Sequence, residues 1–201
     1  MLARLAHALA EPVLILRQRS ARVGEAQPPD DTLARVSAQL DDLLDGIVRL
    51  ERSADPILPA PVELSELVAG ARARAEERAP GPPPAPPAVP AARLHVDRRA
   101  GELLLCELLV NAAVHGAERV VLSAVPAGPR HLRITVDDDG PGIPPDRREE
   151  ALEPFRRLNG SRRAGVGLAV ASRVVAAHGG LLELGASPLG GLRASFVLPA
   201  A

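Results

Sequence analysis

Between Leu33 and Leu50, the apolar residues Leu33, Val36, Leu40, Leu43, Ile47 and Leu50 recur at alternating spacings of three and four. That period is the heptad seam of a helix that must lie along a partner, narrower than the stripe of an ordinary surface helix. Upstream, Leu2, Leu5, Leu9, Val13 and Leu16 mark a second helical stripe over residues 2–23, which Pro12 should kink. The turn-forming segment GEAQPPDD joins the two, with Asp31 or Thr32 as cap of the second helix. A hairpin of this size cannot bury such a seam alone. Pairing with a second copy in a four-helix bundle is the economical solution, and packing of both helices on the rest of their own chain is the alternative.

Residues 1–58 are therefore expected to form an antiparallel helical hairpin that makes the chain a homodimer, and residues 59–201 a second domain. Pro56, Pro59 and Pro61 mark the linker, and Val62 to Arg78 reads as an amphipathic helix through Leu64, Leu67, Val68, Ala71 and Ala75. Seven prolines between Pro80 and Pro90 make a surface loop. The pattern then predicts a strand at Arg93–Val96, a buried helix from Arg99 to His115, and strands at Glu118–Val125 and His131–Asp137. After a long irregular stretch come a helix from Gly165 to His178 and a hairpin of Leu181–Ala186 with Leu192–Leu198. Helices on one face of a mixed sheet make an α+β sandwich.

Composition narrows the classes of function. A formal charge of −1 argues against bulk attraction to nucleic acid or to an anionic membrane, and no apolar run approaches the roughly 18 residues of a span. Cys106 is alone, so an internal disulfide is excluded, and no signal-peptide pattern opens the chain. The expected compartment is the cytoplasm. All 24 cationic side chains are arginines, which rules out a Walker phosphate loop, since that loop needs a lysine.

Three short segments carry chemistry. In ELLVNAAVHG, Glu107 and Asn111 stand four apart on one helical face, with His115 a turn on. An amide oxygen and a carboxylate are hard ligands suited to Mg²⁺, and a solvated polar stripe would read the same way. In DDDGPGI, carboxylates of Asp137, Asp138 and Asp139 precede Gly140 and Gly142, whose bare backbone lets a flat ligand approach. A carboxylate there can accept a hydrogen bond from a base amino group. Gly165-Val166-Gly167-Leu168 opens a helix whose N–H groups suit phosphate oxygens, and Arg156, Arg157, Arg162 and Arg163 lie between the two. A dinucleotide-binding fingerprint fails for want of a third glycine and a preceding strand.

In this order the segments resemble the ATP-binding domain of sensor histidine kinases, within the superfamily that includes gyrase, Hsp90 and MutL. ELLVNAAVHG is similar to the N box, DDDGPGIP to the G1 box, EPFRR around Phe155 to the F box, and AGVGLAV to the G2 box. The resemblance implies that ATP is bound, that Asn111, with Glu107 beside it, holds Mg²⁺, and that Asp138 takes the adenine amino group. It likewise implies that His115, Gly140, Gly142, Ile143, Phe155, Arg156, Gly165, Gly167 and Leu168 shape the pocket. The residues from Arg156 to Ala164 would be an ATP lid, shorter than is usual.

The N-terminal hairpin resembles the dimerisation and histidine phosphotransfer domain, most clearly in LDDLLDGIVRLER, and its phosphoacceptor box is similar to HALAEPV. His7 then lies about 200° around the helix from Leu5, away from the seam. The resemblance implies phosphorylation of His7 and transfer to an aspartate on a response-regulator receiver domain, with input from a separate sensor protein or from a longer chain of which this is a fragment. Ala8 stands where the family has an acidic base, and loss of a general base costs about 10² to 10⁴ in rate. Glu11, one turn on, is placed to substitute for it. Glu107 stands where the gyrase and Hsp90 branch has a carboxylate that activates water. A phosphotransfer adaptor that no longer uses ATP and an anti-sigma-type serine kinase or ATPase remain the alternatives.

Overall fold

A computed structural model describes residues 30–79, 81–84, 88–156 and 164–201, with side chains from residue 38 on. The first helical stripe, His7, Glu11, Arg157, Arg162, Arg163 and the seam side chains Leu33 and Val36 lie outside the described residues. Helix α1 spans Asp30–Arg52, strand β1 Ala60–Glu63, helix α2 Leu64–Arg78, strand β2 Arg93–Val96 and helix α3 Arg98–Val114. Strands β3 (Val120–Pro126) and β4 (His131–Asp138) follow, then a 3₁₀ turn at Pro145–Arg147 running into the short helix α4, Arg148–Ala151. Helix α5, Gly167–Ala177, precedes strands β5 (Glu183–Ala186) and β6 (Leu192–Pro199). Among the described residues no helix is long and apolar enough to cross a membrane.

The main sheet has the order β3-β4-β6-β5, and every neighbouring pair is antiparallel. The mixed sheet expected from the sequence is thus corrected: two hairpins, β3–β4 and β5–β6, lie side by side with β6 against β4. Period-two alternation sorts the strands into faces. Val120, Leu122, Ile134, Val136, Ala194, Phe196 and Leu198 join the core with Leu67, Leu104, Leu108, Val174 and Val175 of α2, α3 and α5. The alternate positions carry polar residues such as Arg133, Asp137, Arg193 and Ser195.

The expected proline linker also differs. Ala60–Glu63 is a strand paired with β2 in a second, two-stranded ribbon, so α2 starts at Leu64 and not at Val62. Val62 and Leu94 face each other in register and both are buried, which outweighs the helical reading of Val62. Pro61 is tolerated because β1 is an edge. A bridge between Leu94 and Ala200 joins the ribbon to the end of β6.

Asp97 and His178 fix the helix pair that carries the site. Asp97 Oδ1 accepts the Ala100 N–H at 2.9 Å, capping α3, and its own N–H donates to His178 Nε2 at 3.0 Å. His178 Nδ1 in turn lies 2.8 Å from the Val174 carbonyl, to which it donates while Nε2 accepts from Asp97. The start of α3 is thereby pinned to the end of α5, and the polar residues late in α3 come to lie opposite the start of α5.

Helix α1 packs on this body. Leu43 is buried with Ala164 and Val166, and Leu50 with Ala169 and Val170, while Ile47 and Phe155 complete the contact. A Cβ on Gly46 would lie 2.9 Å from Val166 Cγ2 and 3.1 Å from the Ala164 Cβ, so the helix approaches as closely as glycine permits. Arg173 Nη1 donates to the Leu50 carbonyl at 3.2 Å. From Leu43 to Leu50 the seam is therefore occupied by the chain's own domain, the alternative to pairing with a second copy. Leu44 and Val48, on the neighbouring stripe, stay 57% and 44% exposed.

Candidate functional site

Three consecutive carboxylates, Asp137 and Asp138 at the end of β4 and Asp139 just after it, each have a separate task. Asp137 is held across the sheet by Arg193, whose Nε and Nη2 each lie 2.8 Å from one of its oxygens. Asp139 Oδ1 accepts the backbone N–H groups of Glu118 and Arg119 at 2.8 and 2.9 Å, and these bonds, Arg119 foremost, hold its carboxyl below the usual range. Asp138 alone lines the pocket. Its Oδ1 accepts the N–H groups of Gly140 and Leu192, both at 2.9 Å, leaving Oδ2 without a hydrogen-bond partner among the described residues. Gly191 makes this possible: a Cβ there would come 2.2 Å from Asp138 Oδ1.

The pocket runs from Asp138 past His115, Gly142 and Ile143 to Asn111, Glu107, Gly165, Gly167 and Leu168. Burial lowers the His115 imidazole from its ordinary value, with Asp138 opposing, so the ring favours its neutral form. At the far end α5 begins at Gly167, and no side chain caps it. Its first N–H groups have no partner within the helix and point a positive dipole end into the pocket. These two ends fit a purine nucleotide: an open carboxylate oxygen for a base amino group, and open N–H groups for phosphate oxygens.

Glu107 is 2% exposed and is held by arginines from two other helices. Arg78 Nη2 of α2 lies 3.0 and 3.1 Å from its two oxygens, and Arg49 Nε of α1 lies 3.2 Å from Oε1. Burial disfavours the charge on both guanidiniums. At Arg78 Glu107 outweighs it and at Arg49 burial prevails, yet both stay protonated at neutral pH. A carboxylate committed in this way is a poor second ligand for Mg²⁺. Asn111, half-buried in the pocket and with its amide oxygen free of described partners, fits that metal without it. No group of three or more His, Cys, Asp or Glu side chains that could hold a metal occurs among the described residues.

Phe155 and Gly165 face each other across the arginine segment. Phe155 donates its N–H to the Gly165 carbonyl at 2.9 Å, and both residues have positive φ, 66° and 68°. A Cβ on Gly165 would stand 2.4 Å from the Arg156 carbonyl oxygen, so only glycine fits. That conformation also ends the helical reading of Gly165 and moves the start of α5 to Gly167. Arg156, at the pocket edge, is engaged by Glu153 at 3.2 Å. Asp42 of α1 accepts the Ala164 N–H at 2.5 Å.

Residues 96–201 match the family described as histidine kinase-, DNA gyrase B- and HSP90-like ATPase. The chain belongs to this family. Among relatives of this ATPase domain, the sensor protein kinase CarS of Pseudomonas aeruginosa is 34% identical over 98% of this chain and 45% of its own length. The sensor protein RstB of Escherichia coli K12 is 33% identical over 97% of this chain and 47% of its own length. The ATP binding domain of PrrB from Mycobacterium tuberculosis superposes with a TM-score of 0.58 at 29% identity, covering 71% of this chain and 98% of that one. The chain spans less than half the length of the two sensor proteins it matches.

Asn111, His115, Asp138, Gly142, Ile143, Arg156, Gly165, Gly167, Leu168 and Glu107 all line this same pocket of the ATPase domain. Gly140 donates to Asp138 beside it, and Phe155 packs behind the Gly165 loop. Sequence reasoning missed Asp42, Arg49, Arg78 and Gly191. The first three come from helices whose apolar stripes alone carry a sequence signal, and Gly191 falls between the two strands of the expected Leu181–Ala186 and Leu192–Leu198 hairpin.

Proposed function

We propose that the chain is the core of a two-component histidine kinase, which uses Mg-ATP to phosphorylate His7 and passes the phosphoryl group to an aspartate of a response-regulator receiver domain. The observation that carries this reading is the pairing, in one pocket, of the open Asp138 Oδ2 with the uncapped start of α5. In the reaction the His7 imidazole nitrogen bonds the γ-phosphorus, the bond to the β–γ bridging oxygen breaks, and ADP leaves with the electron pair. Glu11 accepts the ring proton in place of the base that Ala8 lacks. Asn111 would hold Mg²⁺, which when bound would offset the negative charge of the phosphates. The protein's own part is positioning: Asp138 and Gly142 seat the base, and the α5 N–H groups seat the phosphates.

Dimerisation belongs to the same proposal. Leu44 and Val48 offer a stripe for the partner copy beside the seam that α1 spends on its own domain, with residues 1–29 supplying the rest of the bundle. Sensing falls to a separate protein or to further parts of a longer chain, and the core works in the cytoplasm with neither membrane insertion nor nucleic acid. Incubation with γ-labelled ATP tests the reading beside a His7→Gln variant. The expected result is an acid-labile, alkali-stable label on the parent and none on the variant. A label that survives acid, or that persists in the variant, refutes it.

A further inference from the structure

Three acidic side chains line the pocket, and two are spoken for: Asp138 serves the base end, and Asp42 accepts the Ala164 N–H. Glu107 remains, and it stands at the phosphate end. A Cβ on Gly167, the first residue of α5, would lie 3.0 Å from Glu107 Oε2. A buried carboxylate there is well placed to take a proton from a water molecule attacking a terminal phosphorus. Its oxygens instead face Arg78 and Arg49, so each is already committed to a guanidinium. The two contacts differ in kind. Arg78 donates a well-formed hydrogen bond at 3.1 Å, whereas Arg49 Nε and Glu107 Oε1 have no aligned hydrogen-bond partner and meet as charges.

We propose that Arg49 and Arg78 determine what a bound triphosphate reacts with: by occupying Glu107 they withhold the pocket's general base from water, so that the γ-phosphoryl group is kept for a protein imidazole. The reaction they suppress is hydrolysis. In it water oxygen bonds the γ-phosphorus, the bond to the β–γ bridging oxygen breaks, ADP leaves with the electron pair, and the water proton passes to a Glu107 oxygen. Arg49 reaches Glu107 from α1, so the suppression is complete only while Leu43, Gly46 and Leu50 keep that helix seated. Arg49 is the weaker hold and therefore the one whose loss is best tolerated by the fold.

This inference rests on the ATP-using reading of the site, and the two are tested apart. ATP binding is measured by calorimetry, and phosphate release is measured in a His7→Gln background so that phosphohistidine turnover does not count. Arg49→Gln is expected to release inorganic phosphate about tenfold faster or more, because a freed general base contributes roughly 10² to 10⁴ in rate. Adding Glu107→Gln should return release to the starting level, and Arg49→Lys, which keeps a cation beside Oε1, should restore most of the suppression. Unchanged or slower release from an Arg49→Gln protein that still binds ATP overturns the inference, as does a rise that survives Glu107→Gln. If circular dichroism shows Arg49→Gln unfolded, Arg78→Gln is judged by the same standard. A parent protein that gives no heat with Mg-ATP refutes the ATP reading itself.

Discussion

Replacing Asp138 by asparagine separates the two halves of that side chain's work. Its Oδ1 accepts two backbone N–H groups, from Gly140 and Leu192, and an asparagine fixed by the same donors keeps its oxygen there. The amide nitrogen then takes the place of Oδ2 and turns an acceptor into a donor facing the base. The fold should lose little, because both backbone donors stay satisfied. Adenine, which presents an amino group, loses a hydrogen bond to a charged acceptor. Such a bond contributes about 1.5 to 3 kcal/mol, so the dissociation constant for ATP should rise roughly 10- to 150-fold. Guanine presents a carbonyl oxygen at the corresponding position, and GTP should gain relative to ATP. Calorimetry with both nucleotides, beside a thermal melt of the apo protein, reads all three quantities. An Asp138→Asn protein that keeps its melting midpoint and binds ATP within twofold of the parent would show that Oδ2 does not meet the base.

Gly165→Ala forces a side chain onto a φ of 68° and against the Arg156 carbonyl, a combined cost of at least about 2 kcal/mol, or roughly 4 to 8 °C in melting midpoint; an unchanged midpoint counts against the described loop. Gly46→Val overpacks the α1 contact by about 1 to 3 kcal/mol, so the Val170 amide should exchange hydrogen roughly 5- to 150-fold faster while the β3–β4 amides do not change. Uniform acceleration across the domain would show that α1 docking is inseparable from the fold. The folded protein favours neutral His115 more than the unfolded chain does. Protonation therefore favours unfolding, and the stability this group contributes is present above the ordinary histidine value of 6.5 and lost as pH falls below it. Urea melts across that range should show the loss, and His115→Gln should flatten it.

Local signals carried much of this fold. The sequence reading brackets α3 and α5 to within about two residues, the latter through the glycine pair after His178, and β-branched or alternating runs located β3 and β4. Strand β1 was not legible, because Pro61 argues against a strand and only the distant partner β2 makes one of it. The seam of α1 announced an apolar partner without saying which. A heptad pattern records that one face must be covered, and from Leu43 to Leu50 it is Val166 and Val170 that cover it. At the site, the glycine and acidic boxes were readable because each forms its geometry within a few residues. The arginines on Glu107 were not, since charge pairing between helices far apart in the chain leaves no periodic trace.

The bond between Phe155 and Gly165 bears on how this domain tolerates change. Both anchors of the intervening residues are held to each other, Phe155 by packing half-buried against α1 and α5 and Gly165 by a turn that no other residue fits. An insertion there leaves the span's ends at the same separation, and doubling its length adds only about 0.6 kcal/mol of closure entropy. Evolution can therefore rewrite that stretch for a new task, residue by residue or wholesale, with the purine seat undisturbed.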